Sequence, residues 1–212
     1  MARLRNAGRV LRDANAHLVS ARVMVAADSR YFTIEPASVF GREAPLEVEL
    51  GAGRGDFIVQ RAAEFPERNF LAVERAGSVA KLMALRAARR ELQNLRVLEL
   101  DARPLVKLLL ADQSVRAYHI YFPDPWPKQR HEKHRLFTPH FVASLKRTLA
   151  VGATLFVATD VSAYAELIFG MLEAAGMRRE AVTVPGACAT GFARKFLAAG
   201  RPVYAGAFVR PS

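Results

Sequence analysis

The run Gly51-Ala52-Gly53-Arg54-Gly55-Asp56 directly follows an apolar segment, Leu46–Leu50, and opens one of helical period, Asp56–Phe65. Strand, glycine turn and helix in that order form a loop that cradles a nucleotide-bearing cofactor. Glycine tolerates the positive φ of the turn and lets backbone N–H groups approach a ligand. The rest of the chain keeps the same rhythm. Strand candidates are Leu46–Leu50, Phe70–Val73, Arg96–Leu100, Tyr118–Phe122 and Thr154–Thr159; between and after them lie helix candidates at Asp56–Phe65, Ser78–Leu92, Pro104–Leu110, Pro139–Leu149 and Ser162–Ala175. Repeated strand-then-helix units imply right-handed crossovers and a parallel sheet covered on both faces. Near-continuous apolar strands agree with burial on both sides. After Gly176 the rhythm changes: Arg179–Val184 and Val203–Val209 read as an antiparallel closing pair joined by a loop, with no full helix between them. The expected fold is α/β, a Rossmann-like seven-stranded, mostly parallel sheet with helices on both faces and an antiparallel C-terminal strand pair.

The 212 residues, 51% apolar and 24% charged, suit one globular domain over 41–212 behind a basic, partly ordered arm at 1–40. Met1–Arg30 is arginine-rich, with Asp13 and Asp28 inside it and a helical stretch around Val10–Val25; it reads as a basic arm, an organelle transit peptide or a poorly ordered terminus. No run of about 20 apolar residues appears, so no spanning helix and no membrane role are expected. The richest stretch, Leu105–Ala111, is interrupted by Lys107. One cysteine, Cys188, forms neither an internal disulfide nor a thiolate zinc cluster, and a reducing cytoplasm is the simplest location. Lys plus Arg outnumber Asp plus Glu by 31 to 20, a net charge of +11 that fits a polyanionic partner, nucleic acid or an anionic membrane surface, or else an arginine-rich proteome.

The loop's own charges indicate which cofactor. The dinucleotide fingerprint calls for a small residue near the position of Asp56. An acid there, with Glu49 just before the loop, repels a pyrophosphate. S-adenosylmethionine carries no phosphate but has a sulfonium and an ammonium, which carboxylates attract. Glu74, nineteen positions past Gly55 at the end of the second strand, is spaced to grip ribose hydroxyls, and Asp101-Ala102 at the end of the third is placed for the adenine edge. The plain alternative for each acid is a helix N-cap or a solvated loop residue.

After the fourth strand comes Pro123-Asp124-Pro125-Trp126-Pro127-Lys128-Gln129-Arg130-His131-Glu132-Lys133-His134-Arg135-Leu136. Three prolines stiffen the presentation of one carboxylate, Asp124, and one aromatic ring, Trp126. The cations that follow suit phosphates beside a recognised base. Trp126 could instead cap the core, and the charge run could be a solvated helix start. His131 and His134 lack a suitable third ligand, so no metal is expected.

With "ELGAGRGD", "VER", "LDA" and above all "YFPDPWPKQRHEKHRL", the chain from about Leu46 to its C-terminus resembles the bacterial tRNA (guanine-N7)-methyltransferases, Rossmann-like class I S-adenosylmethionine-dependent enzymes. The resemblance implies methyl transfer to N7 of a guanosine in the tRNA variable loop, guanosine-46, in the cytoplasm. It implies a cofactor pocket of Glu49, Gly51, Gly53, Gly55, Glu74, Asp101 and Ala102, and a catalytic Asp124. Lys128 and Asp160 would contact substrate. Arg130, Lys133 and Arg135 would lie in the RNA-binding stretch. Thr190-Gly191-Phe192-Ala193 matches the family's substrate-contacting tetrapeptide only at Thr190 and Phe192; Gly191 and Ala193 lack the longer side chain and the glutamate usual there, while Arg194 and Lys195 follow with charges for phosphate. Other readings are a methyltransferase acting on another RNA base, a protein or a small molecule, a non-catalytic RNA-binding protein of this fold, and a nicotinamide-dependent oxidoreductase, which Asp56 opposes.

Overall fold

The structure, a computed structural model, describes residues 23–25, 33–186 and 190–212. The expected helical stretch around Val10–Val25 lies outside these except at its end, and Cys188 lies outside them altogether. Eight strands among the described residues form one sheet: β1 (Met24–Val25), β2 (Leu46–Leu50), β3 (Asn69–Glu74), β4 (Leu95–Glu99), β5 (Val115–Tyr121), β6 (Leu149–Thr159), β7 (Arg178–Glu180) and β8 (Tyr204–Val209), in the order β1-β4-β3-β2-β5-β6-β8-β7. Pairing is parallel except that β8 runs antiparallel to both β6 and β7. The helices are α1 (Pro36–Phe40), α2 (Ile58–Glu64), α3 (Gly77–Arg89), α4 (Ala102–Pro104), α5 (Pro139–Thr148), α6 (Ser162–Ala174) and α7 (Gly191–Ala198). None is long and apolar enough to cross a membrane.

Several features depart from the sequence reading. Met24–Val25, expected at the end of a helical arm, adds an eighth strand, parallel to β4 with Met24 opposite Val97. Residues 34–40, also assigned to the arm, pack inward: Ile34 and Phe40 are buried, and the Ile34 N–H bonds the Leu109 carbonyl at 2.7 Å. The segment between β7 and β8, read as a loop, contains α7. Its Thr190 hydroxyl accepts from the Ala193 N–H at 3.0 Å, an N-cap that starts the helix. Phe192, Ala193, Phe196 and Leu197 fall at helical spacing, so the signal was present in the sequence, but it runs for only eight residues, and of α7 only Ala193 is buried. The helix expected at Pro104–Leu110 begins earlier, at α4, and continues as a π-helical turn over Leu105–Leu109.

Alternation along β2 divides the interior. Leu46, Val48 and Leu50 enter one apolar cluster with Tyr118, Leu155, Phe141 and Ile168. Each such fully buried side chain contributes about 1.5–3 kcal/mol. The opposite cluster, under α2 and α3, holds Phe57, Ile58, Met83 and Ala84. Glu47 and Glu49 are buried too, as are His119 and Tyr121, which alternate with β5 residues of the first cluster. The chain reverses its direction of travel across the sheet between β2 and its neighbour β5. Ligands of open α/β sheets bind at the carboxyl ends beside such a switch point. The glycine loop leaves β2 there, and the proline-rich loop leaves β5 there.

Candidate active site

The glycine loop is held from three directions. Gly51 and Ala52 donate to the Val73 carbonyl at 2.9 and 3.0 Å. Glu74 accepts from Gly53 N–H at 2.9 Å through one oxygen and from Ala76 N–H at 2.8 Å through the other. Gly55 has φ +71°, and a Cβ there would sit 2.6 Å from Met83 of α3, so the turn and the packing both exclude a side chain. The strand-to-helix turn made the glycine run legible, because its demand for positive φ is local to the run.

A cavity of about 350 Å³ opens above the switch point, lined by Gly51, Gly53, Glu74, Asp101, Ala102, Asp124 and Phe192 among others. Its walls are apolar at Leu50, Val73, Leu100 and Leu136. A second cavity of about 310 Å³ lies across Tyr121, Phe122 and Phe192, and it takes in Glu49, Asp56, Thr190 and Lys195. The rings of Phe122 and Phe192, stacked at 6.4 Å, stand where the two meet. The structure therefore brings seven of the expected residues to the first cavity and adds Glu49 and Thr190 at the second. Asp101 also caps α4, accepting from Arg103 N–H at 2.9 Å.

Glu49 is only 3% exposed, and its Oε2 has no hydrogen-bond partner among the described residues. Burial, with the Asp56 and Glu74 carboxylates adding to it, pushes its pKa well above the usual carboxylate range. Asp56 departs from its expected part. Arg86 of α3 donates to it at 2.8 Å and Arg194 stands 3.7 Å away. Its charge is shared with cations distant in sequence, so repulsion of a pyrophosphate is weaker than the bare sequence implied, and the carboxylates that line the first cavity are Glu74, Asp101 and Asp124.

The loop after β5 projects Asp124 into the first cavity from a backbone held in two left-handed conformations, φ 52° at Phe122 and φ 41° at Trp126. Such conformations are costly for bulky residues and persist only when the surroundings enforce them. The Phe122 N–H bonds the Ala158 carbonyl at 2.7 Å. Arg135 completes the clamp, donating to the Pro125 carbonyl at 3.0 Å, the Trp126 carbonyl at 3.2 Å and Glu132 at 3.1 Å. Its side chain is 16% exposed. Arg135, expected on the RNA face, is thus committed to the loop's interior. Trp126 meets His131 edge-on at 5.7 Å and His134 at 5.2 Å. The 3-10 helix Gln129–His134 carries Arg130 and Lys133, and Lys133 is exposed, as is Lys128 at its start. None of these three cations lines either cavity. Asp160, expected to contact substrate, lies outside both linings and accepts from Arg201 at 2.8 Å.

Residues not assigned to the cofactor or catalytic site in the sequence also reach it: Arg103 and His134, the latter weighed only as a metal ligand and as part of the basic run, line the first cavity, and Tyr121 and Phe122 line both. For Tyr121 the signal was present, since a period of two puts His119 and Tyr121 on the face that carries Glu47 and Glu49.

A family described as "Putative methyltransferase" matches residues 43–205. The tRNA (guanine-N(7)-)-methyltransferase of Syntrophotalea carbinolica is 36% identical over 174 residues, 79% of this chain and 75% of that protein. The enzyme of that name from Psychromonas ingrahamii is 36% identical over 137 residues, 65% of this chain. The chain spans 56–59% of the length of that relative and of two others with this name. A solved 16S rRNA methyltransferase, KamB, superposes with TM-score 0.61 at 16% identity, over 87% of this chain and 96% of its own, a likeness of fold. With its glycine loop and its proline-stiffened Asp124 loop meeting at one switch point, the chain belongs to the bacterial tRNA (guanine-N7)-methyltransferase family.

Proposed function

We propose that the protein transfers a methyl group from S-adenosylmethionine to N7 of guanosine-46 in the tRNA variable loop, giving 7-methylguanosine. The observation that carries this reading is the convergence of Glu74, Asp101 and Asp124 on one apolar-walled cavity beside a row of cations. The donor set fits a ligand with hydroxyls and positive charge. Glu74 retains lone pairs beyond its two backbone bonds for ribose, Asp101 and Ala102 face the adenine end, and Glu49, whose burial favours its neutral form, ionises against the cationic end once that end is beside it. Bound there, S-adenosylmethionine supplies a methyl carbon made electrophilic by its sulfonium.

Guanine N7 has an in-plane lone pair at neutral pH, so the residues need not remove a proton from it. What remains is positioning and electrostatics. Asp124 orients the donor edge of the purine and offsets the positive charge that appears on its ring. Lys128, Arg130 and Lys133 hold phosphates, so binding weakens as salt rises. Asp160, through Arg201, supports the substrate side, and Thr190 and Phe192 border the cavity beside it.

The test is transfer of a labelled methyl group to unmodified tRNA, followed by nucleoside identification. Label in 7-methylguanosine at position 46 is the expected result. Label in another base, or in protein alone, overturns the proposal.

A further inference from the structure

Beneath the cleft lies a chain of polar groups that the reaction above does not use. The Gly186 N–H donates to the Tyr121 hydroxyl oxygen at 3.1 Å. The Tyr121 hydroxyl is 2.8 Å from His119 Nδ1, and His119 Nε2 is 2.9 Å from Glu47 Oε2. Glu47 also accepts from Arg61 at 3.3 Å and Arg68 at 2.7 Å. Tyr121, His119 and Glu47 are all buried.

The direction of every bond follows from protonation. Burial opposes charge on Glu47, but His119, Arg68 and Arg61 outweigh it and hold its pKa at about 2. The carboxylate therefore only accepts, and Nε2 must carry a hydrogen. Burial lowers the His119 pKa, with Glu47 opposing, so the ring is neutral and Nδ1 is bare. Nδ1 then accepts from the Tyr121 O–H, which leaves the phenol oxygen free to accept from Gly186. The result is a one-way relay anchored on a buried anion. A Cβ at Gly186 would overlap the Tyr121 ring, so the backbone sits directly on the phenol. Phe57, packed edge-on to Tyr121 at 5.1 Å and against His119 at 4.8 Å, prevents the rings from swinging away.

Gly186 stands four positions before Thr190, the N-cap of the helix that brings Phe192 and Lys195 to the cleft. We propose that Tyr121 is a positioning residue for the substrate side of the site, its hydroxyl tethering the backbone at Gly186, four positions before Thr190, to the Glu47–His119 pair in the sheet. This rests on the methyl-transfer reading for what Thr190 and Phe192 contact, but the tether itself does not. The glycine loop is fastened separately, by Glu74 and the Val73 carbonyl, and Tyr121→Phe keeps the ring that lines the donor cavity, so loss of the hydroxyl tether acts on the substrate side far more than on the donor side.

The experiment has two arms. In the full-length wild-type protein, ¹⁵N NMR of the His119 ring should show a protonated Nε2 and an unprotonated Nδ1. The Gly186 amide should exchange with solvent at least about tenfold faster in Tyr121→Phe than in wild type. In steady-state assays Tyr121→Phe should raise the KM for tRNA about tenfold and leave the Kd for S-adenosylmethionine within about twofold. Gly186→Ala, which displaces the backbone from the same ring, should give the same split with the phenol intact. The inverse tautomer, unchanged Gly186 exchange, or parallel loss of both ligands overturns the tether. A wild-type protein that shows the tautomer and the protected amide yet does not methylate tRNA overturns the functional reading alone.

Discussion

Asp124 sits where a modest charge has a large effect, at the mouth of a cavity walled by Leu50, Val73 and Leu100, on a backbone fixed before any ligand arrives. On the proposed reaction, a carboxylate already in place would require no reorganisation as positive charge develops on the purine. Asp124→Ala should lower kcat by about 10²–10³-fold, the scale of removing one preorganised electrostatic group. Calorimetry should find donor affinity unchanged, because Glu74 and the glycine loop are untouched; near-normal turnover removes Asp124 from the chemistry. Single residues were legible in the sequence when their placement depends on neighbours in the chain. Glu74 and Asp101 at strand ends and Asp124 between prolines are of this kind. Asp56 and Asp160 were not, because their partners, Arg86 and Arg201, lie 30 and 41 residues away. Nothing local marks which of many arginines folds back onto an acid.

At the scale of elements, the segment after β5 combines two roles within one basic run. The 3-10 helix holds Arg130 and Lys133 clear of both cavities, while Arg135, just past its end, turns inward to the Pro125 and Trp126 carbonyls. Charge count alone makes the three look alike, and only the helix geometry separates them. Reversing charge with Arg130→Glu and Lys133→Glu should raise the KM for tRNA and reduce the salt slope of binding by about one for each phosphate no longer held. Arg135→Lys keeps the charge but loses the planar fork that spans two carbonyls. It should lower kcat about tenfold with the salt slope unchanged; a changed slope in that variant returns Arg135 to the RNA face. The same scale explains the missed helix α7 and the short β7. β7 is a three-residue edge strand with no buried side chain, and α7, although Phe192, Ala193, Phe196 and Leu197 fall at helical spacing, is only eight residues long, too short for that period to decide between helix and loop.

Over the whole molecule, charge is unevenly placed. A chain of net charge +11 brings three carboxylates, Glu74, Asp101 and Asp124, to one cavity that Arg75 and Arg103 also line, and carries further cations on the adjoining 3-10 helix. On the proposed reaction, the carboxylates would face a positively charged donor and the exposed cations a polyanionic acceptor. Burying one acid, Glu49, beside two others, Asp56 and Glu74, has a stability consequence that belongs to the fold. Glu49 carries a raised pKa, so the folded state holds its proton at pH values where the unfolded chain, titrating near 4.5, has released it. Stability contributed by this group is fully present below that value and is lost as pH rises toward the folded pKa, by about 1.4 kcal/mol per unit. Glu49→Gln fixes the neutral form. His119 and Glu47, whose lowered values favour stability at higher pH, act alike in both proteins and cancel in the difference. The variant and the wild type should therefore unfold with similar free energies near pH 4.5. The variant's advantage should widen as pH rises and level off once the folded wild type ionises. Denaturant unfolding of the ligand-free proteins at pH steps between about 4.5 and 8 measures this gap directly, and a gap that stays constant across the range would mean that Glu49 ionises as an ordinary carboxylate.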